Sequence, residues 1–219
     1  KSHQKEQVSR ETRYIGTFGF VILISAIYLI TSFPTFLQSK TIFLQLGAMI
    51  PGLVADHNQY WRFITANLLH VDLGHIFANV VSILIWGHLL EKAIGTRAVF
   101  VLMMLSGLFT TIFSYLLYPI NTSSVGASGI GYGIMSAYLV YAVVVALIKS
   151  PKDFVGQIAG IFVLFLFQLY YHSQAGPNIS IWGHLGGSIG GIVFIIGYIA
   201  MNLFVSFRTR KFSNFSLGF

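Results

Sequence analysis

Charge is what this chain has least of. Only 9% of its 219 residues are Asp, Glu, Lys or Arg, against 55% hydrophobic, where a soluble domain carries roughly 25% charged residues. Thirteen basic and six acidic side chains cannot cover a globule of 24.3 kDa without leaving the large apolar patches that soluble monomers avoid. A soluble enzyme is excluded, as is a disordered or nucleic-acid-coating chain, despite an isoelectric point near 9.7. Cysteine is absent, which removes disulfide frameworks, thiolate zinc sites and cysteine nucleophiles together. Acids are scarcest of all. Glu6, Glu11, Asp56, Asp72, Glu91 and Asp153 lie outside the apolar runs or at their edges, so an acid-free interior is expected.

What is present is apolar sequence in membrane-sized lengths, with a mean hydropathy of +0.76. A helix needs about 20 mostly apolar residues to cross the hydrocarbon core. Six stretches qualify: Ile15–Phe33, Gly74–Leu90, Ala98–Tyr118, Val125–Ile148, Phe154–Tyr171 and Ile181–Val205. The run from Pro119 to Ser124 is polar and helix-breaking, and it separates the third span from the fourth. The fold class is therefore an all-α polytopic membrane protein, a bundle of six transmembrane helices with a long membrane-associated first outer loop at about 34–73. Residues 1–13 read as a cytoplasmic tail, 14–205 as the six-helix core and 206–219 as a basic cytoplasmic tail. The opening segment has no small-residue cleavage site and is followed by further spans, so it is not a signal peptide. Lys1 is not an initiator methionine, and the chain reads as a core trimmed from a longer protein.

The basic residues orient the bundle. With six spans, Lys1, Lys5, Arg10, Arg13, Lys92, Arg97, Lys149, Lys152, Arg208, Arg210 and Lys211 fall on one side, and only Lys40 and Arg62 on the other. The positive-inside rule makes the crowded side, with both termini, cytoplasmic. The long outer loop carries Phe43, Leu44, Leu46, Met49, Ile50, Leu53, Trp61 and Phe63, which suits short amphipathic helices lying in the interface; Arg62 is expected to tie that loop down.

Polar residues inside a bilayer are costly unless they have a partner or a task. His75 and Asn79 begin span two, Ser128 and Tyr132 begin span four, and His184 begins span six. Even-numbered spans run from outside to inside, so all three starts lie at one depth, just under the outer surface. Gly129 and Gly133 on span four, and Gly183, Gly187 and Gly191 on span six, have the spacing that lets membrane helices pack backbone to backbone. Such packing brings Ser128 to His184. A serine hydroxyl becomes a nucleophile when a base takes its proton, and neither helix offers a carboxylate, so the chemistry is that of a Ser–His dyad. Tyr132 is placed to stack on His184. The first N–H groups of the Ser128 helix, with His75 and Asn79 at i, i+4 on span two, are placed to stabilise an oxyanion.

Gly126-Ala127-Ser128-Gly129 resembles the GxSG nucleophile motif of the rhomboid intramembrane serine proteases. His75 to Asn79 is similar to their HxxxN element, His70 to the outer-loop histidine before it, and Trp61-Arg62 to the WR pair of the first loop. His184, Gly187 and Gly191 resemble HxxGxxxG, with Gly183 where the family usually has alanine; Glu91 and Gly95 resemble its cytoplasmic-end Glu…Gly pair. The resemblance covers about Ile15 to Val205. It implies an endopeptidase acting on transmembrane protein substrates in the lipid bilayer, with no nucleic acid, no metal and no cofactor. Ser128 is then the nucleophile, His184 the general base and acid, and His75, Asn79, Gly126 and Tyr132 the oxyanion and substrate-binding residues. The plain six-span form suggests a multi-pass protein of a bacterial plasma membrane, with the site near the outer face, and the resemblance suits a hydrophobic gate on the Phe154–Tyr171 helix, rich in the aromatics Phe154, Phe162, Phe165, Phe167, Tyr170 and Tyr171. Glu91 with Lys92 reads as a helix-end charge pair, and His70 as structural. Two other readings stand beside this one: a catalytically inactive relative that binds membrane clients, which is expected to lack Ser128 or His184, and a small histidine-relay transporter, which is expected to carry intramembrane acids.

Overall fold

A computed structural model describes residues 14–32, 40–149 and 180–209, with Ala159, Val163, Leu166 and Tyr170 as isolated helical positions. The tails 1–13 and 210–219, the start of the outer loop, His172, the loop around Asn178 and nearly all of the expected fifth span lie outside the described residues. So do its gate aromatics apart from Tyr170.

Among the described residues the chain is helical. Helix α1 spans Ile15–Ser32, α2 Lys40–Leu46, α3 Pro51–His57, α4 Arg62–Thr65, α5 Leu73–Ile94, α6 Thr96–Leu117, α7 Ser128–Lys149 and α8 Ile181–Thr209, with a 3-10 turn at Ala66–Leu68. Of these, α1, α5, α6, α7 and α8 are long and apolar enough to cross a membrane. Helix α8 continues through Thr209, past the expected end at Val205, and α7 begins at Ser128 rather than Val125. The late start has a local cause. Gly126 has φ +125°, a conformation no helix contains and glycine alone adopts without strain, and its N–H donates to Ala66 O at 2.9 Å.

Helix α7 is the axis of the bundle: 72% of its apolar stretch is buried, against 17% for α8 and 28% for α1. Trp86, Met103, Ile134, Met135 and Tyr141 fill the core around it. Apolar burial gives little net drive between helices in lipid, so close packing of small residues does more of the work. Along α8 two glycine rows make this possible. Gly187 and Gly191 lie against the backbone of Gly129 and Gly133 on α7, and Gly186 and Gly190 lie against Phe109 and Phe113 on α6. Helix α8 is thereby locked into the notch between α6 and α7.

Glu91 corrects the sequence reading. It does not form a helix-end pair with Lys92; its side chain is fully buried, and the interior is not free of acid. One carboxylate oxygen accepts from Gly16 N at 2.9 Å and Thr96 Oγ1 at 2.6 Å; the other accepts from Thr17 N at 2.8 Å and Thr17 Oγ1 at 2.6 Å. The reason is that α1 starts without an acidic residue of its own, and its first N–H groups have no acceptor within the helix. Glu91 supplies one from α5. Gly95, with φ +85°, then turns the chain, its N–H donating to Glu91 O, so that Thr96 reaches the same carboxylate. Glu91→Ala leaves those donors buried without an acceptor and is expected to cost about 3 kcal/mol or more. Thermal unfolding in detergent checks this, with Glu91→Gln expected to lose less because its amide oxygen still accepts.

Candidate active site

Helix α5 starts where Asp72 caps it, accepting from His75 N at 2.7 Å. An acid immediately before an apolar run is an N-cap signal, and here it sets the phase of the helix. His75 and Asn79 consequently share one face, and Asn79 Nδ2 donates to His75 O at 3.0 Å. That face meets the approach to α7. A Cβ built on Gly126 would lie 2.6 Å from His75 Cε1 and Nε2 and 3.8 Å from Asn79 Nδ2. Gly126 is therefore needed twice, for its positive φ and for the space that the imidazole fills.

Ser128 opens α7 and His184 lies in the first turn of α8. The glycine contacts between the two helices hold His184 Nε2 2.8 Å from Ser128 Oγ. With the hydroxyl donating, Nε2 is the acceptor and the proton sits on Nδ1, a tautomer assigned from this geometry. Tyr132, one turn along α7, stacks on the His184 ring with centroids 4.3 Å apart and planes 19° apart. Neither helix carries an acid, and it is the stacked Tyr132 ring that lies against the imidazole. All six residues singled out from the sequence, Gly126, Ser128, Tyr132, His75, Asn79 and His184, thus meet at one end of the bundle.

Sequence reasoning did not find how the long loop serves this site. Met49 and Ser124 exchange two backbone hydrogen bonds at 3.0 Å, and Gly52 N donates to Ile120 O at 2.9 Å. The segment leading to Ser128 therefore runs as an extended strip along the loop. The loop in turn is pinned by Arg62, almost wholly buried, whose guanidinium donates to Ala48 O, Leu44 O and Gln59 Oε1. Asn67 Nδ2 donates to Gly107 O at 3.2 Å and Thr111 Oγ1 to Phe63 O at 2.9 Å, fastening the loop to α6. Trp61 remains exposed, as an interfacial aromatic would be.

His70 completes the support. It is fully buried, its ring 5.1 Å from that of His75 in an edge contact, and its Nε2 accepts from Ala127 N at 3.4 Å. Burial first, and then the neighbouring His75, push its pKa down to about 3. It therefore stays neutral at working pH and keeps Nε2 as an acceptor. His70→Phe preserves the ring and removes that acceptor; turnover is expected to fall about fivefold with KM little changed, a loss matching one ordinary hydrogen bond. Steady-state kinetics checks it. Of the remaining histidines among the described residues, neither takes part: His57 is exposed, and His88 stacks on Tyr14 with ring centroids 4.1 Å apart, far along α5 from His75.

Comparison with known proteins gives a consistent set. Residues 57–210 match the family model of the Rhomboid domain. The chain is 30% identical to "Rhomboid-like protease 3" of Toxoplasma gondii over 74% of its own length and 59% of that protein's. It is 26% identical to "RHOMBOID-like protein 1" of Arabidopsis thaliana over 85% of its length and 44% of that protein's. With the "Putative rhomboid protease YdcA" of Bacillus subtilis it shares 27% identity over 68% of its length and 72% of that protein's. The chain thus spans roughly half the length of the first two relatives.

Proposed function

The chain belongs to the rhomboid family, a multi-pass membrane protein by its apolar helices, and from that premise we propose that it is a serine endopeptidase cleaving transmembrane protein substrates within the bilayer. The observation that carries the reading is the 2.8 Å contact between Ser128 Oγ and His184 Nε2. His184 Nε2 takes the Ser128 proton as Oγ attacks the peptide carbonyl carbon. The carbonyl oxygen becomes an oxyanion, held by the Ser128 N–H at the positive end of α7 and by His75 and Asn79. Collapse breaks the C–N bond, and His184 gives its proton to the leaving amine. Water then attacks the acyl-enzyme with His184 again as base, and Ser128 Oγ leaves with the proton. On the charge distribution, this end of the bundle faces outward and both termini lie in the cytoplasm.

Two alternatives lack support. An inactive client-binding relative has no reason to keep a bonded Ser–His pair. A histidine relay needs intramembrane acids, and the buried Glu91 is engaged as a helix cap. The test is covalent labelling. A fluorophosphonate is expected to label the protein in detergent at Ser128, with labelling lost in Ser128→Ala and strongly reduced in His184→Ala. Labelling that survives Ser128→Ala sinks the proposal. Acidification is expected to slow labelling, since an imidazolium cannot act as base.

A further inference from the structure

Capping α5 uses only half of the Asp72 carboxylate. Oδ1 accepts from His75 N at 2.7 Å, while Oδ2 makes no hydrogen bond or ion pair among the described residues. The side chain is exposed, between the exposed Val71 and Leu73. Residues three and seven positions apart share one face of a helix, so Asp72 stands over His75 and Asn79, on the face that meets Gly126. It lies about one turn nearer the aqueous end of the helix than His75, a rise of about 4.5 Å. The other charged residues of the loop before α5 are placed differently. Arg62 is buried and bonded to loop carbonyls and Gln59; Asp56 is exposed on α3, and Lys40 opens α2. Asp72 is thus the charge that adjoins the proposed oxyanion residues. Its field is felt there: at His70, burial and His75 outweigh it, but the Asp72 charge acts to raise that pKa.

A substrate carbonyl held between Ser128 and the His75–Asn79 face sends its chain toward water past the head of α5. An extended chain advances about 3.3 Å per residue, so the side chains that come level with Asp72 are those one to three residues from the scissile bond on its aqueous side. We infer that Asp72 is a specificity-determining residue, whose unbonded carboxylate oxygen favours substrates with a basic residue at one of these positions and disfavours those with an acidic one. The inference rests on the protease reading and adds a substrate preference to it. Asp72 takes no part in the chemistry. An exposed ion pair gives a graded preference, and repulsion of an acidic residue widens the range by acting in the opposite direction.

The test uses the full chain in liposomes, with transmembrane substrates that carry lysine, glutamine or glutamate at each of those three positions and are otherwise identical. Mass spectrometry maps the cut. At the position nearest Asp72, lysine is expected to exceed glutamine, and glutamine to exceed glutamate, by about threefold each in kcat/KM, the range of an exposed ion pair. Asp72→Asn removes the charge and keeps a cap, since asparagine caps a helix as well as aspartate; both ratios are expected to fall to about one. Raising the ionic strength from about 0.05 M to about 0.5 M should shrink the wild-type ratios and leave those of the variant unmoved. Each ratio is internal to one protein, so a lower folded fraction cancels, and any effect of substrate charge on insertion is common to both proteins. Equal rates at all three positions in the wild type, or ratios that Asp72→Asn leaves unchanged, overturn the inference while the protease stands; a cap without a selective role gives the second result. Absence of cleavage together with absence of Ser128 labelling removes both.

Discussion

Ser128→Ala, assayed in liposomes on a transmembrane substrate that the wild type cuts, is expected to lose on the order of 10⁴-fold or more in turnover, and His184→Ala nearly as much. The size follows from the roles proposed for the pair. Without Oγ no acyl-enzyme forms, and without the imidazole the hydroxyl keeps its proton at neutral pH. The two residues act as a unit through one 2.8 Å contact, so the double variant should be scarcely worse than either single one; members of such a unit are strongly non-additive. Additive losses would mean that serine and histidine serve separate steps. Tyr132 supplies a graded control. Phe at 132 keeps the stacked ring and most of the activity, while Ala frees the imidazole to turn. Wild-type cleavage by Ser128→Ala would end the dyad mechanism outright.

The second large effect lies two turns from the chemistry. Gly191→Val is expected to lower thermal stability by several kcal/mol and activity by more than a hundredfold. A Cβ at Gly191 would lie 2.6 Å from the carbonyl carbon of Gly133 and 2.8 Å from its Cα. Those are backbone atoms in the second turn of α7 and cannot swing aside, unlike the end of a flexible side chain. Inserting groups into a packed core typically costs 1–3 kcal/mol, and here the relief has to come from parting two helices. His184 sits seven residues before Gly191 on α8, about 10 Å along the axis, so a wedge at Gly191 tilts the imidazole away from Ser128. A displacement near 1 Å is enough to cost about a hundredfold. Gly197, with nothing within 4 Å of its Cβ position, is the matched control: Gly197→Ala should leave both melting and activity close to wild type. If Gly191→Val behaves like Gly197→Ala, the close packing of α7 on α8 is wrong.

Much of this site was legible because membrane sequence is simple. Where nearly every residue is apolar, a serine, a histidine and a spaced row of glycines stand out. Ser128, His184, Tyr132, His75 and Asn79 could be named and paired from their depth in the spans, the helix periodicity and the glycine spacing. The nucleophile's approach was harder to read. Val125 looks like the start of a span by hydropathy, yet 125–127 stay outside the helix, with Gly126 N–H and Ala127 N–H bonded to Ala66 O and His70 Nε2, partners more than fifty residues away. Glu91 misled for a related reason. A carboxylate beside Lys92 at a helix end has an adequate local explanation, and nothing in the neighbouring residues points to Gly16 and Thr17.

The sequence by itself determined the class of protein, the apolar spans, the small-residue faces and the identity of the paired side chains, since hydropathy, helix periodicity and chemical type are local properties. Only the tertiary structure decided how a loop on one side of the chain holds the nucleophile's peptide in place and where the scarce acid is buried. Those are questions of hydrogen-bond satisfaction between distant segments, and a donor's partner is set by where the chain returns in space rather than by what stands next to it.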